Sequence, residues 1–310
     1  MFDLSIIIVN YKTPDLTSLC LESIIHRSYD FTYEIIIVDN DSQDHSEFNI
    51  TQKFPEVKWI NSSENVGFGR ANNLGIESSV GKYILILNSD TIFHDDSLKN
   101  GISLLEKNKR IGVLGCTIYN EDLSIQNFTS TVANYNKILD RNLFFNYIFK
   151  TRKYKLECVM GSFMLIPKSV FNEVGMFDPD FFMYSEEVEL CYRINKKYKY
   201  TIEISPEINI IHKNGGSTSD RSWANKQSYL SSALLFFKIR GHFGYLLYHC
   251  LILINVFTNF FAMWLLNKAY RKDYWKDLSY YFYSCKQYIL LPLKYKRKIG
   301  SGKNLLQIIQ

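Results

Sequence analysis

Proline and glycine are scarce in this sequence, at 6 and 15 of 310 residues. That scarcity excludes a collagen-like repeat and a low-complexity chain. The six cysteines, Cys20, Cys116, Cys158, Cys191, Cys250 and Cys285, are too widely spaced for a C-x-x-C pair or the short Cys/His cluster of a zinc site. So dispersed a set in a chain this long reads as that of a protein in a reducing cytosol. A signal peptide is not expected, because the start, Met1-Phe2-Asp3, is acidic and the apolar run from Leu4 to Val9 is short. A net excess of basic charge is missing from most of the chain. Of the formal net charge of +5, ten Lys/Arg against two Asp fall between Lys268 and Lys303, so the remainder is slightly acidic. A basic nucleic-acid-binding body is thereby excluded, and the basic tail suits an anionic membrane surface instead.

What is present is a folded composition, 46% apolar and 15% aromatic, rich enough in apolar residues to exclude disorder. Leu4 to Val9, Glu34 to Val38 and Tyr83 to Leu87 are short, β-branched and almost continuously apolar. Such strands need cover on both faces. Each leads into a polar cluster: Asn10-Tyr11, Asp39-Asn40-Asp41-Ser42 and Asn88-Ser89-Asp90. Helix-length segments lie between and after them: Pro14 to Ser28 with Thr13 as its cap, Ser42 to Phe54, Phe68 to Ser79 and Asp95 to Asn108. Alternation of strand and helix predicts an α/β chain with a doubly wound, mainly parallel sheet, whose ligands bind beyond the carboxyl ends of the strands. Asn120 to Tyr154 has no clear period and reads as a loop or small helices covering the site. A further helix is expected from about Ser185 to Lys197, then short strands at Thr201–Ser205 and Ile208–His212, then a flexible loop at Gly215-Gly216-Ser217.

The last quarter changes character. Phe243 to Leu266 carries no formal charge and is flanked by Lys238 and Arg240 before it and by Lys268, Arg271 and Lys272 after it. Its length suffices to cross a bilayer. Tyr245, His249, Asn255, Thr258 and Asn259 lower its hydrophobicity, so an interfacial or re-entrant helix competes with a span, and a soluble helical extension competes with both.

Several residues are candidates for chemistry, each with a structural alternative. Gly67-Phe68-Gly69 half-matches a dinucleotide fingerprint, but it follows the third strand rather than the first and lacks the third glycine, which argues against a dehydrogenase. Asp39 either begins the cap of the next helix or faces a ligand at the sheet edge. Asp90, with Asn88 two residues before it, offers the hard oxygen donors that suit Mg²⁺ or Mn²⁺ carrying a diphosphate. Glu186, Glu187 and Glu189 stand at a helix start, where acids are favoured by the macrodipole alone. Glu186 and Glu189 share a face and Glu187 points elsewhere; the preceding Phe181-Phe182-Met183-Tyr184 can partly desolvate one carboxyl toward general-base use. His212 is either a satisfied core histidine or, at the mouth of the glycine loop, a metal or phosphate ligand.

Taken in order, Ser5 to Tyr11, Val38 to Ser42, Glu64 to Asn73, Leu87 to Thr91, Gly161 to Met164, Phe177 to Tyr184, the Glu186-Glu187 pair and His212 strongly resemble the family 2 inverting glycosyltransferases. The resemblance runs over about residues 3 to 220 and is greatest to the bacterial rhamnosyltransferase branch. It implies a GT-A fold over residues 1–220, with a nucleotide-sugar-binding half at 1–118 and an acceptor half at 119–220. Residues 221–310 would then form a helical, membrane-associated extension. It also implies that Asn10, Tyr11, Asp39, Asn65, Arg70, Asn88 and Ser89 hold the nucleotide-sugar. Asp90 and His212 would hold the divalent cation (Mg²⁺ or Mn²⁺), and Glu187 would be the catalytic base with Glu186 as its rival. In the family's Glu-Asp-x-Asp-Leu motif, Glu187 and Glu189 replace both Asp residues, and Asn88 replaces the first acid of Asp-x-Asp. The donor implied is dTDP-rhamnose, with UDP-sugars next. The acceptor implied is a glycan or polyprenyl-diphosphate-linked sugar, such as an O-antigen or capsule repeat, at the cytoplasmic face of the membrane. A catalytically inactive carbohydrate- or membrane-binding scaffold on the same fold is the alternative.

Overall fold

The computed structural model describes residues 2–126, 157–213 and 221–266, with residues 135, 279 and 282 besides. Strands β1 (Leu4–Asn10), β2 (Tyr33–Asp39), β3 (Lys58–Asn61), β4 (Tyr83–Asn88), β5 (Thr91–Ile92), β6 (Ile111–Tyr119), β7 (Phe163–Pro167) and β8 (Thr201–His212) form one sheet. Their order across it is β3-β2-β1-β4-β7-β6-β8-β5. Helices α1 (Pro14–Ile25), α2 (Ser46–Lys53) and α3 (Phe68–Ser78) each follow a strand, as does α4 (Leu98–Lys107) after β5. Two more follow: α5 (Lys168–Val174) and α6 (Glu186–Tyr192), which a π-helical turn extends over Arg193–Lys197.

β1 runs parallel to β2 and β4, β2 to β3, and β6 to β8, whereas β7 is antiparallel to both its neighbours and β5 to β8. The sheet is therefore mixed and mainly parallel. Strand order reverses at β1, with β2 on one side and β4 on the other, so the carboxyl ends of β1 and β4 border a switch-point crevice. Ile6, Ile7 and Ile8 are fully buried, as are Ile84, Leu85, Ile86 and Leu87. Burial of each such side chain contributes roughly 1.5–3 kcal/mol. Helix α3 lies so close to β1 that a Cβ on Gly75 would stand 2.4 Å from Ile7 Cγ2, a gap that only glycine leaves open.

Two local expectations are corrected. Thr201–Ser205 and Ile208–His212 are one strand, β8, whose pairing with β6 steps from Cys116–Ser205 to Thr117–Asn209. The extra residues form a bulge containing the exposed Pro206, which has no N–H to offer the ladder. Thr13 stands at the N-cap of α1, but its hydroxyl does not cap the helix. It lies instead 3.3 Å from Asn10 Oδ1 and 3.1 Å from Ser89 Oγ, tying the end of β1 to the end of β4. Most of Asn120–Tyr154 and the Gly215–Ser217 loop lie outside the described residues.

By compactness the sheet and α1–α6 make one unit, and Pro179–Ser185 together with α7 (Arg221–Leu266) belong to a second. Within the second, Ser231 Oγ donates to Met183 O at 2.6 Å, and Lys238 Nζ reaches Asp180 Oδ2 at 2.6 Å in a buried ion pair. Helix α7 is not one rod. Gly241, at φ 68° and ψ −168°, breaks it in a conformation open essentially to glycine alone. Phe236 and Tyr248 stack with ring centroids 4.5 Å apart, whereas twelve residues of straight helix would separate them by about 18 Å. The chain reverses at Gly241 and the second arm packs back on the first. That arm buries Tyr245, Tyr248 and Asn255 and leaves exposed a stripe of Phe243, Leu246, Cys250, Leu253, Ile254 and Phe257.

Candidate active site

Asn10 and Asp39 end neighbouring parallel strands in register, which brings their side chains together. Asn10 Nδ2 donates to Asp39 Oδ1 at 2.7 Å, and Asn10 Oδ1 accepts from Thr17 Oγ1 at 2.9 Å. Ser42 completes the group, its backbone N–H donating to Asp39 Oδ2 at 2.9 Å and its hydroxyl to Oδ1 at 2.5 Å. Asp39 is 7% exposed and accepts three hydrogen bonds here, of roughly four that a carboxylate can take. Its first task is thus to order the β1 and β2 ends. Tyr11, one residue beyond, is exposed, with Lys12 Nζ 5.3 Å from the centroid of its ring. Next along the edge, Asn40 Nδ2 donates to Asn65 Oδ1 at 2.9 Å, and Asn40 Oδ1 accepts the Val66 N–H at 2.9 Å. That exchange fixes the turn into α3, in whose first turn Arg70 stands half-buried. Burial draws the Arg70 pKa below its ordinary value, opposed by Glu64 and Asp178.

On the other side of the switch point, β4 ends at Asn88, and the turn through Ser89 and Asp90 leads into β5. β5 pairs Thr91 with His212, so the final residue of β8 arrives beside Asp90 from a sequence distance of more than a hundred residues. His212 Nε2 lies 3.2 Å from Asp90 Oδ1 and 3.4 Å from Asn88 Nδ2. Asp90 is 3% and His212 7% exposed. Asp90 Oδ1 is buried and accepts no hydrogen bond among the described residues. A buried carboxylate oxygen without a donor is costly in free energy, and a divalent cation is the partner that oxygen and imidazole nitrogen both suit. Among the described residues no three His, Cys, Asp or Glu converge on one metal position. A cation at Asp90 and His212 would therefore take its other ligands from diphosphate and water, as Mg²⁺-type sites do.

The three acids of α6 have different surroundings. Glu189 grips Arg193 Nε with both carboxylate oxygens, at 2.9 and 2.8 Å, and the guanidinium in turn donates to the carbonyls of Val174, Gly175 and Met176. That makes Glu189 part of the frame. Glu186 is 3% exposed and lies against α3, where a Cβ on Gly69 would stand 3.5 Å from its own. Glu187 is less buried and borders Gly161. Gly161 adjoins Ser162, whose carbonyl accepts the Asn88 N–H at 3.2 Å, linking Glu187 to the Asp90 turn. Just before the helix, Tyr184 and Ser185 both hold φ at 69°, an unusual pair for non-glycine residues.

All the residues singled out from sequence lie at the carboxyl edge of the sheet or on α3 and α6. Sequence reasoning missed Asn40, Thr17 and above all Gln126. Gln126 is 6% exposed and hydrogen-bonds both the ring and the carbonyl of His212. It follows an aperiodic polar stretch, and nothing in the sequence marks it.

Comparison with known proteins places the chain in a family. Residues 5–175 match the profile described as Glycosyl transferase family 2. The low-salt glycan biosynthesis hexosyltransferase Agl10 of Haloferax volcanii is 29% identical over 203 residues, which are 63% of this chain and 62% of that protein. The rhamnosyltransferase WbbL of Escherichia coli K12 is 28% identical over 61% of this chain and 76% of its own length. The N-acetylglucosaminyl-diphospho-decaprenol L-rhamnosyltransferase of Mycobacterium tuberculosis is 24% identical over 68% of this chain and 76% of its own. Among solved structures, the mannosyltransferase PcManGT of Pyrobaculum calidifontis, in complex with GDP-Man and Mn²⁺, superposes with a TM-score of 0.61. That match has 14% identity and covers 93% of this chain and 87% of that one. The sheet order, the switch-point site and the match over more than half of the sequence together identify the chain as a GT-A-fold member of the family 2 glycosyltransferases.

Proposed function

We propose that the chain transfers a sugar, with inversion, from a nucleoside-diphosphate donor to a hydroxyl of a growing lipid-linked glycan. The observation that carries the reading is the buried, unsatisfied Asp90 oxygen facing His212 at the switch point. Asp90 and His212 are the residues that would hold Mg²⁺ or Mn²⁺, and the cation, when bound, would offset the charge that develops on the diphosphate. Asn10, Asp39 and Asn65 shape the nucleoside end, Tyr11 offers a face for the base, and Arg70 with Asn88 and Ser89 lies toward the diphosphate. Glu187 takes the proton of the acceptor hydroxyl as that oxygen bonds to the anomeric carbon. The bond from that carbon to the donor's phosphate oxygen breaks, and the nucleoside diphosphate leaves with the electron pair. Glu187 is preferred to Glu186 because it is the less buried of the two and stands on the Gly161–Ser162 side.

A rhamnosyl donor and a polyprenyl-diphosphate-linked acceptor are supported by the names of two relatives. Work at the cytoplasmic face of a membrane is supported by the exposed apolar stripe of α7 and by the basic residues around it in sequence. Since the arm reverses at Gly241 and exposes one face, we read α7 as lying in the interface rather than crossing it. The test is a panel of nucleotide-sugars assayed for binding and slow hydrolysis with and without Mn²⁺. Cation-dependent selection of one donor is expected, and binding of none under any condition would overturn the reading.

A further inference from the structure

The geometry points to Gln126 as a positioning residue that holds His212 in the tautomer able to bind a cation; the inference rests on reading Asp90 and His212 as the cation site. Gln126 Nε2 donates to His212 O at 2.8 Å, and Gln126 Oε1 lies 3.1 Å from His212 Nδ1. A backbone carbonyl only accepts, so the NH₂ side of the amide must face it and the oxygen must face the ring. Nδ1 therefore carries the proton of the neutral imidazole, which leaves Nε2 as the acceptor, 3.4 Å from Asn88 Nδ2 and 3.2 Å from Asp90 Oδ1. Without the clamp, a ring free to protonate at Nε2 would have no lone pair there to offer a cation.

The clamp is itself anchored. Gln126 N donates to Ile118 O at 2.9 Å, Asn120 N to Ser124 O at 2.8 Å, and Tyr119 bridges Ile125, so a tight hairpin at the end of β6 carries the amide. The amide is buried, and both its polar atoms are spent on one histidine. Such outer partners of a metal-binding histidine are generally worth about 10–100-fold in metal affinity.

The test compares wild type, Gln126→Leu and Gln126→Glu, each as the whole chain, by electron paramagnetic resonance titration of Mn²⁺. The tautomer of His212 is read separately from ¹⁵N chemical shifts of the metal-free protein recorded over a series of pH values. We expect Nδ1–H in wild type and in Gln126→Glu, whose carboxylate still accepts from Nδ1 although it can no longer donate to the His212 carbonyl. Gln126→Leu should lose the fixed tautomer and bind Mn²⁺ about 10–100-fold more weakly. Wild-type affinity in Gln126→Leu, or an Nε2–H tautomer in wild type, overturns the inference and leaves the cation site standing. A wild type that binds no Mn²⁺ overturns the cation reading, and this role for Gln126 with it. If Gln126→Leu fails to fold, the tautomers of wild type and of Gln126→Glu still decide.

Discussion

The two sides of the switch-point crevice are built from the same kinds of residue and end in opposite states. On the β1–β2 side, Asn10, Asp39, Ser42 and Thr17 satisfy one another within 3.1 Å. On the β4–β8 side, Asp90 and His212 are as deeply buried, yet the carboxylate oxygen between them accepts nothing. A closed polar network rigidifies the backbone that carries it, whereas an open one holds free energy that only an arriving charge can release. The first side is thus a frame, and the second is where a ligand has the most to contribute.

Substitutions can break that contrast, and the largest effect is expected away from both sides. Glu187→Gln should lower sugar transfer by about 10²–10⁴-fold, the usual range for a lost general base, while nucleotide binding measured by calorimetry stays near wild type. A variant with near-normal turnover would move the base to Glu186. Next, Asp90→Asn should abolish the Mn²⁺ dependence of donor binding and yet leave the melting temperature unchanged or raised, because the new amide can donate to His212. Asn10→Ala should do the reverse. It leaves buried Asp39 and Thr17 short of a partner, so about 1–3 kcal/mol of stability is lost in a denaturant titration. Equal destabilisation by the two would show that the sides do not differ. Phe243→Ser with Phe257→Ser should reduce sedimentation with anionic vesicles several-fold without changing donor hydrolysis; undiminished sedimentation would argue against the exposed stripe as the lipid contact. The smallest effect concerns Glu106, which Lys109, Lys82 and Tyr83 pull down to about 2. Its folded pKa lies below the ordinary 4.5, so its contribution is full above that value and fades as pH falls toward 2. Since the carboxylate is exposed, Glu106→Gln should flatten acid unfolding in that window only slightly.

Much of the frame was legible because it obeys local rules. β1, β2 and β4 are apolar on both faces, and no soluble arrangement other than a covered, central strand accommodates them. The polar residues that end those strands, Asn10, Asp39, Asn88 and Asp90, follow from the same reading, since parallel strands deliver their carboxyl ends to one edge. The three glutamates of α6 were harder. Only the packing separates Glu189, bound to Arg193, from Glu186 against Gly69 and Glu187 beside Gly161. The apolar stretch at 243–266 could be recognised but not oriented, because the reversal depends on Gly241 alone.

The sequence by itself determined the parallel sheet, its family and the edge at which the chemistry falls, because those depend on which residues are apolar and in what order. The resemblance already implied that Asp90 and His212 share a cation, but only the tertiary structure supplied the β5–β8 register that sets them 3.2 Å apart and the seating of Gln126 against His212. The tertiary structure also decided the turning back of α7 at Gly241. Each joins residues by a register or a single backbone conformation, and neither leaves a periodic trace along the chain.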